Sequence, residues 1–177
     1  MTAMTGLHAP PDGWTVEDLP DDVRCELVDG ALLVSPPPRP RHSAVAGGLH
    51  EVLAAVVGPN WTVLEAPGVH FDSRNYREPD VAIVRRAALD QDLLVPADVL
   101  LAVEVMSRSS VANDRVAKPA LYAGAGIPHF WRVEQEPRVL VRHVLDGDLY
   151  REVGRDRGVV HVMEPVAVRI DVGALFA

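Results

Sequence analysis

The sequence predicts an α/β (α+β) domain in which a mixed β-sheet is flanked by two main helices. Short apolar runs bounded by turn residues indicate buried strands, most clearly at residues 81–84 and 100–103. Apolar residues at helical spacing predict a helix at residues 42–57. Gly124 and Gly126 can end a second helix, which is predicted at residues 112–125. The C-terminal part alternates strand-like runs with turns. Antiparallel strands beside two helices are typical of a domain with a mixed sheet.

Length and composition narrow the class of protein. The 177 residues suit one domain with its own core, and we expect a flexible N-terminus at residues 1–13 followed by that domain at residues 14–177. The net charge of −8 argues against broad, nonspecific affinity for nucleic acid or anionic membranes. The chain has one cysteine, no secretory signal and no apolar run near the ~18 residues of a membrane span. We therefore expect a cytoplasmic protein with no membrane partner.

The N-terminal third predicts a capped turn, a hairpin and a long helix. Residues 15–18 resemble a capping box and predict a short helix. Residues 26–34 predict a hairpin, because the dipeptide Asp29-Gly30 suits a two-residue turn. The proline-rich residues 35–40 predict an extended linker before the helix at 42–57.

A glycine pair interrupts that first long helix. Gly47 and Gly48 each cost roughly 1 kcal/mol relative to alanine in a helix interior. This cost predicts that the helix packs closely against the sheet at the two glycines.

The remaining elements follow in order along the chain. A second helix is predicted at residues 112–125, but Pro119 would break its middle, which favours a later start with Pro119 in the first turn. The predicted strands outside the central pair lie at residues 61–65, 69–71, 129–133, 139–145, 149–153, 159–163 and 166–170.

Two acidic residues mark the ends of the central apolar runs. Asp80 precedes the first run and Glu104 follows the second, so antiparallel pairing would bring both carboxylates to the same end of the sheet. Crowded carboxylates repel unless a cation or a shared proton relieves them. Magnesium is often held by one or two carboxylates, and Glu26 could add a third oxygen.

Structural interpretations of the same residues stay open at this point. Asp80 could be a turn acid at a strand start, and Glu104 could form an ion pair with Arg108 or Arg115. Lys118 is four residues from both Asp114 and Tyr122, which places all three on one helix face. Asp114 and Lys118 could equally be an ordinary helix pair worth ~0.3 kcal/mol.

Basic residues near these acids also allow two interpretations. His42, at the mouth of the first helix, could contact phosphate or support a metal ligand, or could be a helix-start residue without a chemical role. Four arginines flank the Asp80 strand and could contact the DNA backbone or form a solvated rim. They are Arg74, Arg77, Arg85 and Arg86.

An ordered set of short motifs runs from about Thr15 to the C-terminal strands. The set comprises Glu26-Leu27-Val28-Asp29-Gly30, Ser35-Pro36-Pro37-Pro38, Arg41-His42, Pro79-Asp80-Val81-Ala82, Val103-Glu104-Val105-Met106-Ser107, Asp114-Arg115, Lys118, Leu121-Tyr122, and Gly126-Ile127-Pro128 with Trp131. In this order the motifs resemble the Uma-two family of restriction-endonuclease-like proteins. That family is placed in the PD-(D/E)XK nuclease superfamily, whose core is a mixed sheet flanked by helices with a magnesium site.

The resemblance implies a role for individual residues. The superfamily lysine usually lies two residues after the second acid, where this chain has Met106, and the resemblance implies that Lys118 takes its place. Two departures from the family pattern are Pro119, directly after Lys118, and the loop sequence at residues 106–109. The implied catalytic residues are Asp80, Glu104 and Lys118. The implied metal ligands are Asp80, Glu104 and Glu26. The residues implied to support these groups or to bind substrate are His42, Asp114, Tyr122 and Arg77.

Two functional hypotheses follow. The first is a Mg²⁺-dependent endonuclease, with Mn²⁺ as a substitute, that hydrolyses phosphodiester bonds in DNA. In this first hypothesis the chain has a restriction-endonuclease-like core, and the extra C-terminal antiparallel strands lie beside that core. The alternative is a catalytically inactive nuclease-fold module that binds a partner or nucleic acid. A homodimer is the commonest assembly of soluble proteins and would suit cleavage of two strands.

Overall fold

The structure, a computed structural model, describes residues 10–20, 23–106 and 116–177. Two α-helices and several short 3-10 turns accompany the strands in these ranges. The helices are α1 Pro40–Ala54 and α2 Lys118–Gly124, and the strands are β1 Cys25–Val28, β2 Ala31–Val34, β3 Trp61–Glu65, β4 Val69–Asp72, β5 Asn75–Arg77, β6 Val81–Arg85, β7 Val99–Val105, β8 His129–Gln135, β9 Arg138–Asp146, β10 Leu149–Asp156, β11 Val159–Val162 and β12 Val168–Asp171.

A six-stranded mixed sheet forms the centre of the molecule, in the order β10-β9-β8-β7-β6-β3. Strands β7 and β8 pair in parallel, and the other neighbours in this sheet are antiparallel. The predicted mixed sheet and the additional C-terminal antiparallel strands are confirmed. Strands β11 and β12 form a separate hairpin.

Side-chain alternation along β6 divides the core into two layers. Val81 and Ile83 pack with α1, whereas Ala82 and Val84 pack on the opposite face with Tyr122 of α2. Because successive residues of a strand point to opposite faces, an uninterrupted apolar strand needs a cover on both sides. The helices therefore flank the sheet as predicted.

A second, smaller sheet carries the N-terminal hairpin beside the central one. Its order is β2-β1-β5-β4. The predicted hairpin is confirmed, since Asp29 and Gly30 both have positive φ values, 50° and 81°, as a primed two-residue turn requires. Strand β5 is not foreseen in the sequence. It pairs with β1 through Leu27 and Tyr76 and leads the chain directly toward Asp80.

The helix boundaries differ from the predicted ones. Helix α1 begins at Pro40 rather than residue 42, because a proline fits the first helical turn, where its missing N–H is not needed. It ends at Ala54, three residues before the predicted end at residue 57. The α-helical residues of α2 begin at Lys118, with Pro119 in the first turn. Residues 112–115 of the predicted helix lie outside the described ranges, and Val116 and Ala117 form a π-helical stretch directly before α2.

The N-terminal capped turn is present as one 3-10 turn, Val16–Asp18. The Asp18 carboxylate accepts hydrogen bonds from the Thr15 backbone N–H at 2.9 Å and from the Thr15 hydroxyl at 2.7 Å. In the described part of the chain, neither helix is long and apolar enough to cross a membrane.

The predicted role of the glycine pair is wrong. A Cβ added at Gly47 would meet nothing within 4 Å, and one at Gly48 would lie 3.3 Å from Leu175 in the C-terminal turn rather than against the sheet. Helix α1 reaches the sheet through other residues on its face, including Val45 and Leu49.

Replacing Gly47 by alanine should therefore stabilise the protein. The new methyl group meets open space, and alanine lowers the conformational entropy of the unfolded chain. We expect a gain of about 0.5–1 kcal/mol and a rise in Tm of about 1–4 °C, measured by thermal unfolding. Gly68→Ala is the opposing control, because its Cβ would overlap the Tyr76 hydroxyl. An unchanged or lower Tm for Gly47→Ala would contradict the finding that a Cβ at this position meets no neighbouring atom.

Candidate active site

The two sequence-predicted acids lie at the same end of the central sheet. Strands β6 and β7 are antiparallel, with Val81 opposite Val103, so Asp80 and Glu104 are the next residues beyond that pair. The Val105 backbone N–H donates a hydrogen bond to Asp80 Oδ2 at 2.7 Å. Both residues are buried, with 9% and 2% of their surface exposed. The geometric expectation drawn from the two apolar runs is confirmed.

Lys118 joins Glu104 to Glu26. Its Nζ lies 3.0 Å from Glu104 Oε1, 3.1 Å from Glu104 Oε2 and 2.8 Å from Glu26 Oε1. A buried ammonium is strongly unfavourable unless it is paired and hydrogen-bonded, and two carboxylates meet this need. Pro119 does not divert the side chain, because the proline lies in the first turn of α2.

Tyr122 lies one helical turn after Lys118 and reaches the same carboxylate. Its hydroxyl donates to Glu104 Oε1 at 2.8 Å, and its ring stacks on Phe71 with 5.6 Å between centroids. Burial, followed by the charge of Glu104, raises the pKa of Tyr122 well above its usual value. The phenol therefore stays a hydrogen-bond donor at neutral pH. Asp114, predicted on the same face, lies outside the described residues.

His42 contacts Asp80 from the first turn of α1. Its Nε2 lies 3.1 Å from Asp80 Oδ2. Burial lowers the pKa of His42, but the hydrogen bond to Asp80 and the charge of that carboxylate outweigh burial, so the pKa lies above its ordinary 6.5. The structure thus brings His42 to the candidate site and gives it a specific partner there.

Arg24 and Glu78 belong to the same cluster and were missed in the sequence. Arg24 Nε donates to Glu78 Oε2 at 3.0 Å, and Arg24 Nη2 lies 3.6 Å from Asp80 Oδ1. Burial raises the pKa of Glu78, and the hydrogen bond and charge of Arg24 partly oppose that rise. A signal was available: Arg24 lies two residues before Glu26, and Glu78 two residues before Asp80, the spacing of one strand face.

Glu26 is brought to the cluster by two hydrogen bonds, and its role as a metal ligand stays a prediction. Its Oε1 accepts hydrogen bonds from Lys118 and from the Glu78 backbone N–H, the latter at 3.1 Å. In residues 10–20, 23–106 and 116–177, no three His, Cys, Asp or Glu residues gather closely enough to hold a metal ion. The contact of Glu26 with Lys118 Nζ, at 2.8 Å, also holds that lysine in place.

The structure does not place Arg77 at a surface. Its side chain is buried, and its guanidinium donates to the backbone carbonyls of Leu27 and Tyr76. Both a DNA contact and a solvated rim require an exposed guanidinium, so neither interpretation fits Arg77. The other three arginines of that set are exposed and donate to backbone carbonyls: Arg74, Arg85 and Arg86.

The donor set at the strand ends suits a hard divalent cation. Asp80 and Glu104 offer carboxylate oxygens, which such cations prefer. Asp80 Oδ1 accepts no hydrogen bond from the described residues and has the Arg24 ion pair as its polar contact. These two carboxylates could hold a metal ion, with Lys118 and Tyr122 fixing Glu104 and with His42 fixing Asp80.

The fold and this constellation define the restriction-endonuclease-like class, in which acids at adjoining strand ends lie between helices on both faces of a mixed sheet. The model of the Uma2 family, described as "Putative restriction endonuclease", matches residues 14–172. The chain belongs to this family, and membership supports a nuclease function.

Comparison with solved structures agrees on the fold. The crystal structure of a "putative nuclease" from Anabaena variabilis superimposes with a TM-score of 0.72 and 15% sequence identity, covering 90% of this chain and 94% of that chain. At this identity the match shows a shared fold. Comparison with curated proteins gave no match.

The link between His42 and Asp80 predicts a measurable pKa change. In metal-free buffer, the His42 pKa should lie above 6.5 in the native protein. The stabilisation from this contact is then complete below pH 6.5 and is lost as the pH rises through the raised pKa. In Asp80→Asn the pKa should fall below 6.5, because burial remains while the carboxylate charge is gone.

Imidazole NMR signals followed against pH would measure both values. His143 is an internal control, since it contacts the Phe130 carbonyl and Tyr150 and its pKa, which burial lowers, should not respond to Asp80→Asn. A His42 pKa that is equal in the two proteins would contradict the contact.

Proposed function

We propose that this protein is a divalent-metal-dependent endonuclease that hydrolyses phosphodiester bonds in DNA, with Mg²⁺ as the natural ion and Mn²⁺ as a substitute. Asp80 and Glu104 would hold the ion. A metal ion in such a site polarises the phosphodiester and lowers the pKa of a bound water. A two-fold homodimer that cuts both strands stays a prediction from base rates.

The observation that carries this proposal is the position of Lys118. The residue two places after Glu104 is Met106, which is buried and cannot supply a positive charge. Helix α2 instead delivers a lysine whose Nζ lies within 3.1 Å of both Glu104 oxygens. Two acids and one lysine therefore meet in space although the usual sequence spacing is lost.

Each residue of the cluster has a task under this proposal. Lys118 would stabilise the negative charge that develops on the reacting phosphate, as a fixed cation in a water-poor site does. Glu26 and Tyr122 keep Lys118 and Glu104 oriented through their hydrogen bonds. His42 holds the Asp80 carboxylate from the opposite side.

The assay is cleavage of supercoiled plasmid and linear duplex DNA with Mg²⁺ or Mn²⁺. The assay is run at low salt, because binding to nucleic acid depends on the neutralisation of phosphates by basic residues. The net charge of −8 opposes this binding, and low salt strengthens it. Asp80→Asn and Lys118→Gln should each lower the cleavage rate at least about a hundredfold, by removing a metal ligand or the stabilising cation.

Asp98→Asn is the matched control. Asp98 is a buried aspartate, 8% exposed, and like Asp80 it accepts a backbone N–H, in this case from Val95. It lies at the opposite end of β7, so its variant should cleave within a few-fold of the native rate. Equal losses in Asp98→Asn and Asp80→Asn would attribute the effect to folding rather than chemistry.

The pairing of the site acids with basic side chains favours one alternative, a nuclease fold that binds nucleic acid or a partner without cleaving it. Lys118 and Arg24 already form ion pairs with the acids, so part of the negative charge of the cluster is compensated without a metal. This alternative predicts DNA binding that Asp80→Asn leaves intact and no cleavage by any variant.

A further inference from the structure

We propose that Arg24 and a divalent cation compete for Asp80, so that Arg24 occupies the carboxylate in the resting site and leaves it when the ion binds. This inference rests on the proposed metal site and adds a residue to it. Arg24 directly precedes β1, and its guanidinium bridges two acids, with Nε 3.0 Å from Glu78 Oε2 and Nη2 3.6 Å from Asp80 Oδ1.

The two oxygens of Asp80 are not equivalent. Oδ2 receives the Val105 backbone N–H at 2.7 Å and contacts His42 Nε2 at 3.1 Å. Oδ1 has only the longer Arg24 contact among the described residues. A metal ion would therefore take Oδ1 without breaking a short hydrogen bond, and Arg24 is the group in its way.

Exposure separates Arg24 from the other cation of the cluster. The Arg24 side chain is 34% exposed, whereas the Lys118 side chain is 7% exposed. Because the Arg24 side chain is already partly in solvent, it can move off Asp80 at a small cost, and its hydrogen bond to Glu78 can persist. Moving Lys118 would take a positive charge away from two buried carboxylates, Glu26 and Glu104, which is costly.

The resting arrangement also explains how the acids coexist. Glu26, Glu78, Asp80 and Glu104 are within a network that contains Lys118 and Arg24 as bridging cations. Without a cation, neighbouring carboxylates repel. Arg24 provides that neutralisation on the Asp80 side until a metal ion replaces it.

The test is Mn²⁺ affinity measured by calorimetry. Arg24→Gln should bind Mn²⁺ about three- to tenfold more tightly than the native protein, the effect of removing one partly exposed charge beside a carboxylate. Arg24→Lys keeps the charge but loses the two-pronged guanidinium that bridges Glu78 and Asp80, so its Mn²⁺ affinity should lie between those of the native protein and Arg24→Gln. Arg151→Gln is the matched control, because it breaks an exposed arginine–aspartate pair on β10 and changes the net charge equally.

The outcomes separate this inference from the nuclease proposal. Tighter binding in Arg24→Gln that disappears when Asp80→Asn is added supports the competition, even if no variant cleaves DNA. Native or weaker affinity in a folded Arg24→Gln, absence of binding in both proteins, or a gain that survives Asp80→Asn would overturn it.

A measurement on the native protein covers the case in which Arg24→Gln does not fold. The Arg24 Nε–H is held by Glu78, so its NMR signal can be followed during a Mg²⁺ titration. It should shift with the midpoint of Mg²⁺ binding while the Arg151 signal does not. No shift at saturating Mg²⁺ would overturn the inference.

Discussion

The crowding of carboxylates at one end of the central sheet is the constraint on which the rest of the site depends. Asp80 and Glu104 meet there because two buried strands pair antiparallel, and Glu26 and Glu78 approach from the smaller sheet. Four acids so close together require compensating positive charge. Lys118 supplies it on one side and Arg24 on the other, while Tyr122 donates a hydrogen bond to Glu104 Oε1 and His42 contacts Asp80 Oδ2.

The fold assembles this cluster from separate parts of the chain. Helix α1 brings His42, helix α2 brings Lys118 and Tyr122 from successive turns, and the N-terminal hairpin brings Glu26. Each helix covers one apolar face of the sheet, so the packing that stabilises the core also aims both helix starts at the strand ends. Core and candidate site are therefore not independent, and a shift of either helix would disturb the acids.

Local patterns were sufficient for part of this arrangement. The apolar runs beside Asp80 and Glu104 determine strand pairing, the four-residue spacing places Lys118 and Tyr122 on one helix face, and Asp29-Gly30 determines the hairpin. Tertiary contacts decide the rest. Arg24 and Arg77 look alike in the sequence, yet one reaches the acids and the other is buried against backbone carbonyls. The sequence also does not show whether Gly47 faces a neighbouring residue or open space.

The central claim is that Asp80 and Glu104 form a divalent-metal site beside Lys118. The most direct test is a crystal structure of the protein with Mn²⁺ and duplex DNA, with data collected at the manganese absorption edge. The account predicts an anomalous peak bonded to the carboxylates of Asp80 and Glu104, with Lys118 facing the scissile phosphate. Saturating Mn²⁺ with no peak at these acids, and with the Arg24 and Lys118 ion pairs unchanged, would contradict it.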